Sequence, residues 1–231
     1  MALLTVGNPK LLKGQKKGYL SSVLHLAPAN LSGKEVCPKR TIGCTDACLN
    51  LAGRGGIFKK GESTNVIQQA RIRKTKQFFE NRESFLQELV IEIGKTITKA
   101  EKQGLIPVFR LNGTSDLSWE KYEVADGKNI FQMFPTVQFY DYTKVLGRKV
   151  SHIPNYHLTF SKADGNDMDV RLAASNGMNI AAVFHKLPEQ YIGRPVINGD
   201  DTDLRFLDPK GVIVGLKAKG KAKKDTTGFV I

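Results

Sequence analysis

The three cysteines of this 231-residue chain, Cys37, Cys44 and Cys48, all fall within one window of twelve residues. Cys44 and Cys48 are four positions apart, so one helical turn would present both sulfur atoms on the same side. Pro38 favours an extended backbone at Cys37, which lets that sulfur approach from a loop. The main chain can come close to a bound group at nearby glycines, namely Gly43, Gly53, Gly55 and Gly56. The pattern predicts three thiolates that converge on one inorganic centre.

The number of cysteines leaves three kinds of site open. A structural zinc site takes four protein ligands, so zinc would need one of the chain's histidines, which are His25, His152, His157 and His185. A 4Fe–4S cluster also usually has four cysteine ligands; with three, the fourth iron is open to water, a substrate or a cofactor, or is closed by another group. The third alternative is free thiols or a disulfide. We expect a 4Fe–4S cluster held by Cys37, Cys44 and Cys48, because ordinary buried cysteine explains neither the clustering nor the glycines.

The formal charge of the chain is +13 at pH 7, and it is unevenly distributed. Basic residues concentrate in residues 1–17, in residues 71–76 and in residues 217–224. Such patches could bind the phosphates of nucleic acid, although no known nucleic-acid-binding motif accompanies them. A nucleic-acid-binding protein with a structural metal site is therefore the alternative function.

Composition indicates an ordinary globular protein, with 41% hydrophobic and 25% charged residues. No apolar run approaches the length of about 18 residues that predicts a membrane span, so we expect no membrane association. The apolar start precedes the lysines, which is the reverse of a secretory signal. Three cysteines without a signal favour a reducing compartment, and we expect the cytoplasm.

Six short apolar runs, each followed by polar residues, predict strands near residues 19–28, 106–111, 136–140, 155–160, 180–184 and 196–197. Helical patterns lie between them: one from Ser63 or Thr64 to Phe79, one from Ser84 to Gln103, and shorter ones near 119–122, 130–134 and 168–174. This alternation predicts an α/β fold, a partial (βα)6 TIM-like barrel with the cysteine-rich cluster loop after the first strand.

We expect a single domain over residues 1–231. Residues 18–210 would form the barrel core, 1–17 a basic N-terminal segment and 217–231 a basic C-terminal tail. Residues 212–216 are predicted to form a short strand paired near residues 204–207. We expect the lysine-rich tail to be mobile, with residues 229–231 docking back onto the body of the protein.

The carboxyl edge of a parallel sheet is where ligands bind, so the polar residues after the strands are the candidate site. The predicted catalytic residues are Arg110, Tyr142, Lys144 and His185, and the predicted cofactor-binding residues are Asn112, Gly113, Asp116 and Ser161. Arg110 suits a thiolate or carboxylate, or else pairs with Asp116 or Asp141. His185 is a fourth iron ligand, a proton donor, or a structural residue at a strand end. Lys144 binds an anion or faces solvent.

Several short motifs follow the cysteine cluster and the long helix. These are Phe-Arg-Leu-Asn-Gly-Thr-Ser-Asp at 109–116, Tyr-Asp-Tyr-Thr-Lys at 140–144, Leu-Thr-Phe-Ser at 158–161 and Val-Phe-His at 183–185. Together they resemble the phage gene-product-eighty-eight-like family, over roughly residues 20–210. The resemblance implies a phage protein, acting in an infected host cell, more than it implies a reaction.

The chain is also similar, more loosely, to the radical SAM superfamily. In that superfamily a partial six-unit barrel carries a three-cysteine 4Fe–4S cluster after its first strand, with S-adenosylmethionine on the open iron. Here the cysteine spacing is six and then three residues instead of three and then two, and residues 112–116 replace the expected Gly-Gly-Glu. The resemblance therefore implies the cluster, and a redox or radical-type role toward an unknown small-molecule substrate, more directly than it implies S-adenosylmethionine.

Overall fold

The computed structural model describes residues 2–7 and 9–231. The strands are β1 (Leu4–Thr5), β2 (Tyr19–Leu24), β3 (Ile106–Arg110), β4 (Glu123–Ala125), β5 (Lys128–Asn129), β6 (Gln138–Thr143), β7 (Tyr156–Ser161), β8 (Ile180–Phe184), β9 (Gln190–Tyr191), β10 (Arg194–Asn198) and β11 (Ile213–Lys217). The α-helices are α1 (Pro9–Gln15), α2 (Ile42–Asp46), α3 (Val66–Glu80), α4 (Arg82–Lys102), α5 (Ile130–Met133) and α6 (Asp167–Ser175). Short 3₁₀ turns cover Leu49–Leu51, Gly53–Gly56, Trp119–Lys121, Arg205–Leu207 and Gly220–Lys224.

Nine strands form one sheet in the order β1-β2-β3-β6-β7-β8-β11-β10-β9, and β4 pairs with β5 separately. All six predicted strands are present, as β2, β3, β6, β7, β8 and β10. Neighbours from β2 to β10 are parallel, and the two edge strands, β1 and β9, are antiparallel to theirs. Among the described residues no pairing joins β1 to β9, so the expectation of an α/β fold is confirmed, while a closed TIM barrel is not formed.

Helices α3, α4, α5 and α6 collect on one face of the sheet because the strands advance in one direction. From β2 through β8 each strand lies beside the previous parallel one, and right-handed crossovers then fall on the same face. The largest core cluster forms there, where Phe85, Leu89 and Ile93 of α4 pack with Phe109 and Phe139 of the sheet. The side of α4 that carries these apolar residues is therefore its buried side.

Helix α3 begins one or two residues later than the sequence predicts. Its cap is Asn65, whose side-chain oxygen accepts hydrogen bonds from the main-chain N–H groups of Ile67 and Gln68. No helix within the described ranges is long and apolar enough to cross a membrane.

The connection from β10 to β11 runs over the opposite face, since it steps backward in the strand order. The ring of Phe206 in this connection lies 5.5 Å from that of Tyr19 and 5.6 Å from that of Tyr140. The predicted pairing of residues 212–216 with residues 204–207 is wrong: β11 pairs with β8 and β10, and residues 205–207 form a 3₁₀ turn. This reversed crossover covers the second face together with α1, whose Gly14 lies against Ser21 and Leu204.

The sheet separates between β7 and β8 toward its carboxyl edge. The two strands pair at only two positions, and the C-terminus occupies the space beyond them. Ile231 N donates to Val183 O, and His185 N donates to Ile231 O, each at 2.9 Å. The predicted docking of residues 229–231 is therefore confirmed, and it places the C-terminal tail beside the carboxyl edge.

Candidate functional site

The cysteine segment, residues 37–48, follows β2 and is tied to the loop after β7. Thr41 caps α2 by accepting a hydrogen bond from Cys44 N at 3.2 Å, and its hydroxyl donates to Asp164. Gly43 N donates to the same carboxylate at 3.1 Å. Asp164 thereby fixes the segment against the carboxyl edge of the sheet.

All three cysteines line one cavity of about 280 Å³ at this edge. The strands contribute side chains where they end, with Arg110 from β3, Lys144 after β6, Lys162 after β7 and Lys217 from β11. The cavity lies where an open parallel sheet is expected to bind a ligand, outside the carboxyl ends of its strands.

Each sulfur atom accepts a hydrogen bond from a nitrogen donor. Ala29 N lies 3.4 Å from Cys37 Sγ, the ammonium group of Lys144 donates to Cys44, and the main-chain N–H of Asn50 donates to Cys48. Ala29 has a positive φ of 51°, an unusual conformation for alanine. Donors of this kind favour a thiolate over a thiol.

Burial works against ionisation of the free thiols. It raises the pKa of Cys37 to about 12 and also raises the pKa of Cys48, and the neighbouring cysteines add to both effects. For Lys144, burial acts to lower the pKa, but Cys44 and Asp116 outweigh it and raise the pKa above its ordinary value. Thiols in such surroundings lose their protons when a metal centre binds them.

The three thiols are free and form no disulfide with one another. Among residues 2–7 and 9–231, no three Cys, His, Asp or Glu side chains are placed to share one metal ion, and no histidine lines the cavity. The donors as placed therefore do not fit a single zinc ion, whose ligands meet at 2.0–2.3 Å. A cluster makes a different demand, because each thiolate binds a different iron atom. Three soft sulfur donors around one cavity are chemically suitable ligands for three iron atoms of one cluster.

Three of the four predicted catalytic residues meet in the cavity: Arg110, Tyr142 and Lys144. Arg110 NH1 pairs with Asp203 Oδ2 at 3.3 Å, and not with either of the carboxylates considered in the sequence. Its guanidinium carbon lies 4.6 Å from the centre of the Tyr142 ring. The buried hydroxyl of Tyr142 has no hydrogen-bond partner among the described residues.

The structure does not bring His185 to the same place. Its side chain is exposed and is not part of the cavity wall, since the C-terminal residue Ile231 covers the end of β8. The predicted role of this histidine as a ligand or proton donor receives no support from its position.

All four predicted cofactor-binding residues line the cavity, but two are engaged in holding the fold. The side chain of Asn112 bonds to Ser115, Leu117 and Trp119. Asp116 accepts a hydrogen bond from Lys144 N at 2.7 Å. Gly113 and Ser161 make no side-chain hydrogen bond of this kind, although Gly113 N donates to Leu24 O at 2.9 Å.

Several residues that line the cavity were not among the predicted site residues. Lys39 and Arg40 belong to the cysteine segment itself, so its local charge was a usable signal. Asp203, Lys219 and Phe229 come from distant parts of the chain and carry no local signal.

Gly43 is required where the C-terminal tail crosses the cysteine segment. A Cβ atom on it would lie 2.0 Å from Thr227 Oγ1 and 2.7 Å from Phe229 Cβ. We expect Gly43→Ala to displace residues 227–229 and to destabilise the protein by about 1–3 kcal/mol. Limited proteolysis of the tail and urea unfolding measure this effect. The matched variant Gly94→Ala, at a helix position with open space around it, should not destabilise; equal losses in both variants would contradict this reading.

His25 follows β2 and is surrounded by positive charge. Burial first, and then the charges of Arg71, Arg110 and Lys74, lower its pKa to about 3, while Asp203 acts in the opposite direction. In the unfolded chain a histidine has a pKa of about 6.5. Between these values the unfolded chain binds a proton that the folded protein rejects, so stability falls as the pH falls from about 6.5 toward 3.

We expect His25→Gln to weaken this acid sensitivity. Between pH 6.5 and pH 5 the variant should lose about 1–2 kcal/mol less unfolding free energy than the parent protein. Urea unfolding at a series of pH values measures the difference, and the exposed His185→Gln serves as control. Parallel pH profiles for the parent and His25→Gln would show that His25 is not the responsible group.

Comparison with known proteins gives a match to a family model. No curated protein and no solved structure matches the chain. A family model described as Gene product 88, a family of phage proteins, matches residues 2–231. That range includes the cysteine segment, every strand of the sheet and the C-terminal residues beside the cavity. The chain belongs to the Gene product 88 family.

Proposed function

We propose that this protein binds one 4Fe–4S cluster through Cys37, Cys44 and Cys48, with one iron free of cysteine and facing the cavity. The observation that carries the proposal is that the only three cysteines of the chain line the same cavity at the carboxyl edge. When bound, such a cluster supplies electron-transfer or radical chemistry at the iron that no cysteine ligates. The cavity beside it would hold the substrate or another exogenous ligand.

The surroundings of the sulfur atoms support this proposal. Nitrogen donors reach all three of them, from Ala29, Asn50 and Lys144. Hydrogen bonds to cluster sulfurs are among the features that set a cluster's reduction potential. The positive charges of Lys144 and Arg71 lie near Cys44 and Cys48 and would balance bound thiolates.

The finer parts of the proposal are a partial-barrel architecture and S-adenosylmethionine as a ligand of the open iron. Gly113 gives no support to that ligand, because a Cβ atom there would lie 2.6 Å from Val23 and 2.8 Å from His25, so the glycine is required for packing against the end of β2. The side chain of Asn112 already accepts hydrogen bonds from Leu117 N and Trp119 Nε1, which argues against S-adenosylmethionine binding in the manner of the radical SAM superfamily. The cluster itself does not depend on that cofactor.

Anaerobic reconstitution tests the proposal. We expect about four iron and four sulfide per chain, a brown protein, and an EPR signal after reduction. Calorimetry with S-adenosylmethionine on the same sample tests the cofactor separately. A colourless protein that contains zinc, or neither iron nor sulfide, would overturn the redox proposal.

The alternative is nucleic-acid binding, with action in the cytoplasm of the infected host cell in either case. The exposed lysines of the Gly220–Lys224 turn favour it, namely Lys221, Lys223 and Lys224. The second basic group favours it less, since Lys74 is buried and donates to Leu3 O. Gel-shift measurements over a range of salt concentrations distinguish the two functions; retardation at low salt by the cluster-free protein would favour the alternative.

A further inference from the structure

Lys162 is a buried cation beside the cavity. Its exposed fraction is 5%, it lines the cavity, and its ammonium group donates to the main-chain oxygen of Gly228. Among the described residues no carboxylate lies within ion-pair distance of it. A buried charge that lacks a counter-ion is costly, so an anion that enters the cavity and supplies the opposite charge would be stabilised there.

The whole cavity has an excess of positive charge. Its wall contains seven cationic residues, Lys39, Arg40, Arg110, Lys144, Lys162, Lys217 and Lys219, and three carboxylates, Asp116, Asp200 and Asp203. The carboxylates are already used by protein groups, since Asp203 pairs with Arg110 and Asp200 with Lys219. The cations near the end of β7 and β11 are therefore not neutralised from within the wall.

We propose that the cavity binds the anionic group of a small molecule, a phosphoryl or carboxylate group, with Lys162 as its counter-ion and Lys217 beside it. The volume of about 280 Å³ suits a small metabolite rather than a polymer chain. Lysine binds such oxygens as a point charge, which does not require a fixed fork of donors. This inference rests on the proposed function in one respect: it takes the bound anion to be the substrate beside the cluster.

The test is calorimetric titration of inorganic phosphate, and separately of malonate, into the full-length protein before and after anaerobic reconstitution. We expect at least one of the two anions to bind, and Lys162→Met to weaken that binding at least tenfold. The matched control is Lys186→Met, an exposed lysine that also follows a strand but lies outside the cavity wall. It should leave the dissociation constant unchanged. Stronger binding of phosphate or of malonate identifies which group the cavity prefers.

Unchanged anion binding by Lys162→Met, or equal losses in both variants, would overturn the proposal. Should Lys162→Met fail to fold, the exposed Lys217→Met decides, with a loss expected and no loss overturning it. Iron and sulfide analysis of the same samples distinguishes the two proposals. If the reconstituted protein binds anions but contains no iron or sulfide, only the proposed function is refuted. Binding of a DNA oligonucleotide that Lys162→Met and Lys186→Met weaken equally would show that surface charge is recognised, and would overturn the cavity assignment.

Discussion

Replacement of Cys44 by alanine is expected to reduce the iron content of the anaerobically reconstituted protein from about four atoms per chain to below one. With three cysteines in the chain, the loss of one leaves two thiolates, and no histidine lines the cavity to substitute for it. The sulfur of Cys44 also receives the hydrogen bond from Lys144, so the variant leaves a half-buried ammonium group without this acceptor. Iron and sulfide assays, with the visible absorption spectrum, measure the result.

The control for this experiment is Leu49→Ala. Leu49 lines the same cavity next to Cys48 and is 56% exposed, so its truncation changes the wall without removing a sulfur. It should retain nearly all of the iron. Full iron content in Cys44→Ala would contradict ligation by this residue, and loss of iron in both variants would assign the effect to a disturbed segment instead.

The position of the candidate site could be predicted from the sequence, because the relevant signals are local. Cys37, Cys44 and Cys48 lie in one short window, and the polar residues that follow β3 and β6 necessarily meet at the carboxyl edge of parallel strands. The apolar runs predicted six strands because buried parallel strands read as continuous apolar segments. All of these are properties of a few neighbouring residues.

The reversed crossover could not be predicted in the same way. Its consequence is that Arg205 lies buried and pairs with Asp208, and that Asp203 meets Arg110 below the cavity. Pro195 and Arg194 suit β10 to a place near the sheet edge, but no local signal marks the backward step that inserts β11 between β8 and β10, because that step depends on long-range packing. The same reasoning explains why Asp203 was absent from the predicted site.

The exposed position of His185 has a related cause. In the sequence it follows a strand, as Lys144 and Lys162 do, and the pattern cannot tell which strand ends open into the cavity. The C-terminal residues pair with Val183 beyond the end of β7, and they thereby keep the end of β8 from opening into the cavity. A contact between positions nearly fifty residues apart leaves no periodic signal between them.

Asn112→Ala is expected to destabilise the protein by about 3–4 kcal/mol, the largest effect on stability that we anticipate for one residue at the site. The side chain is 2% exposed, and its oxygen accepts hydrogen bonds from Ser115 Oγ at 2.8 Å, Leu117 N at 2.9 Å and Trp119 Nε1 at 3.1 Å. Its amide nitrogen also donates to Leu117 O and to Asp141. Alanine would leave the buried N–H groups of Leu117 and Trp119 without an acceptor, and each unsatisfied buried group costs about 1–3 kcal/mol.

Urea unfolding measures this loss, and Ser115→Ala is the matched control. That variant removes one of the same hydrogen bonds from a more exposed position, so it should cost about 1 kcal/mol or less. Residues 113–116 line the cavity, and the hydrogen bonds of Asn112 hold this loop in place. Asn112→Ala should therefore also weaken iron retention, whereas Ser115→Ala should not. A cost below about 1 kcal/mol for Asn112→Ala would mean that the hydrogen bonds around this asparagine do not hold the loop, and that its place at the cavity serves a ligand instead.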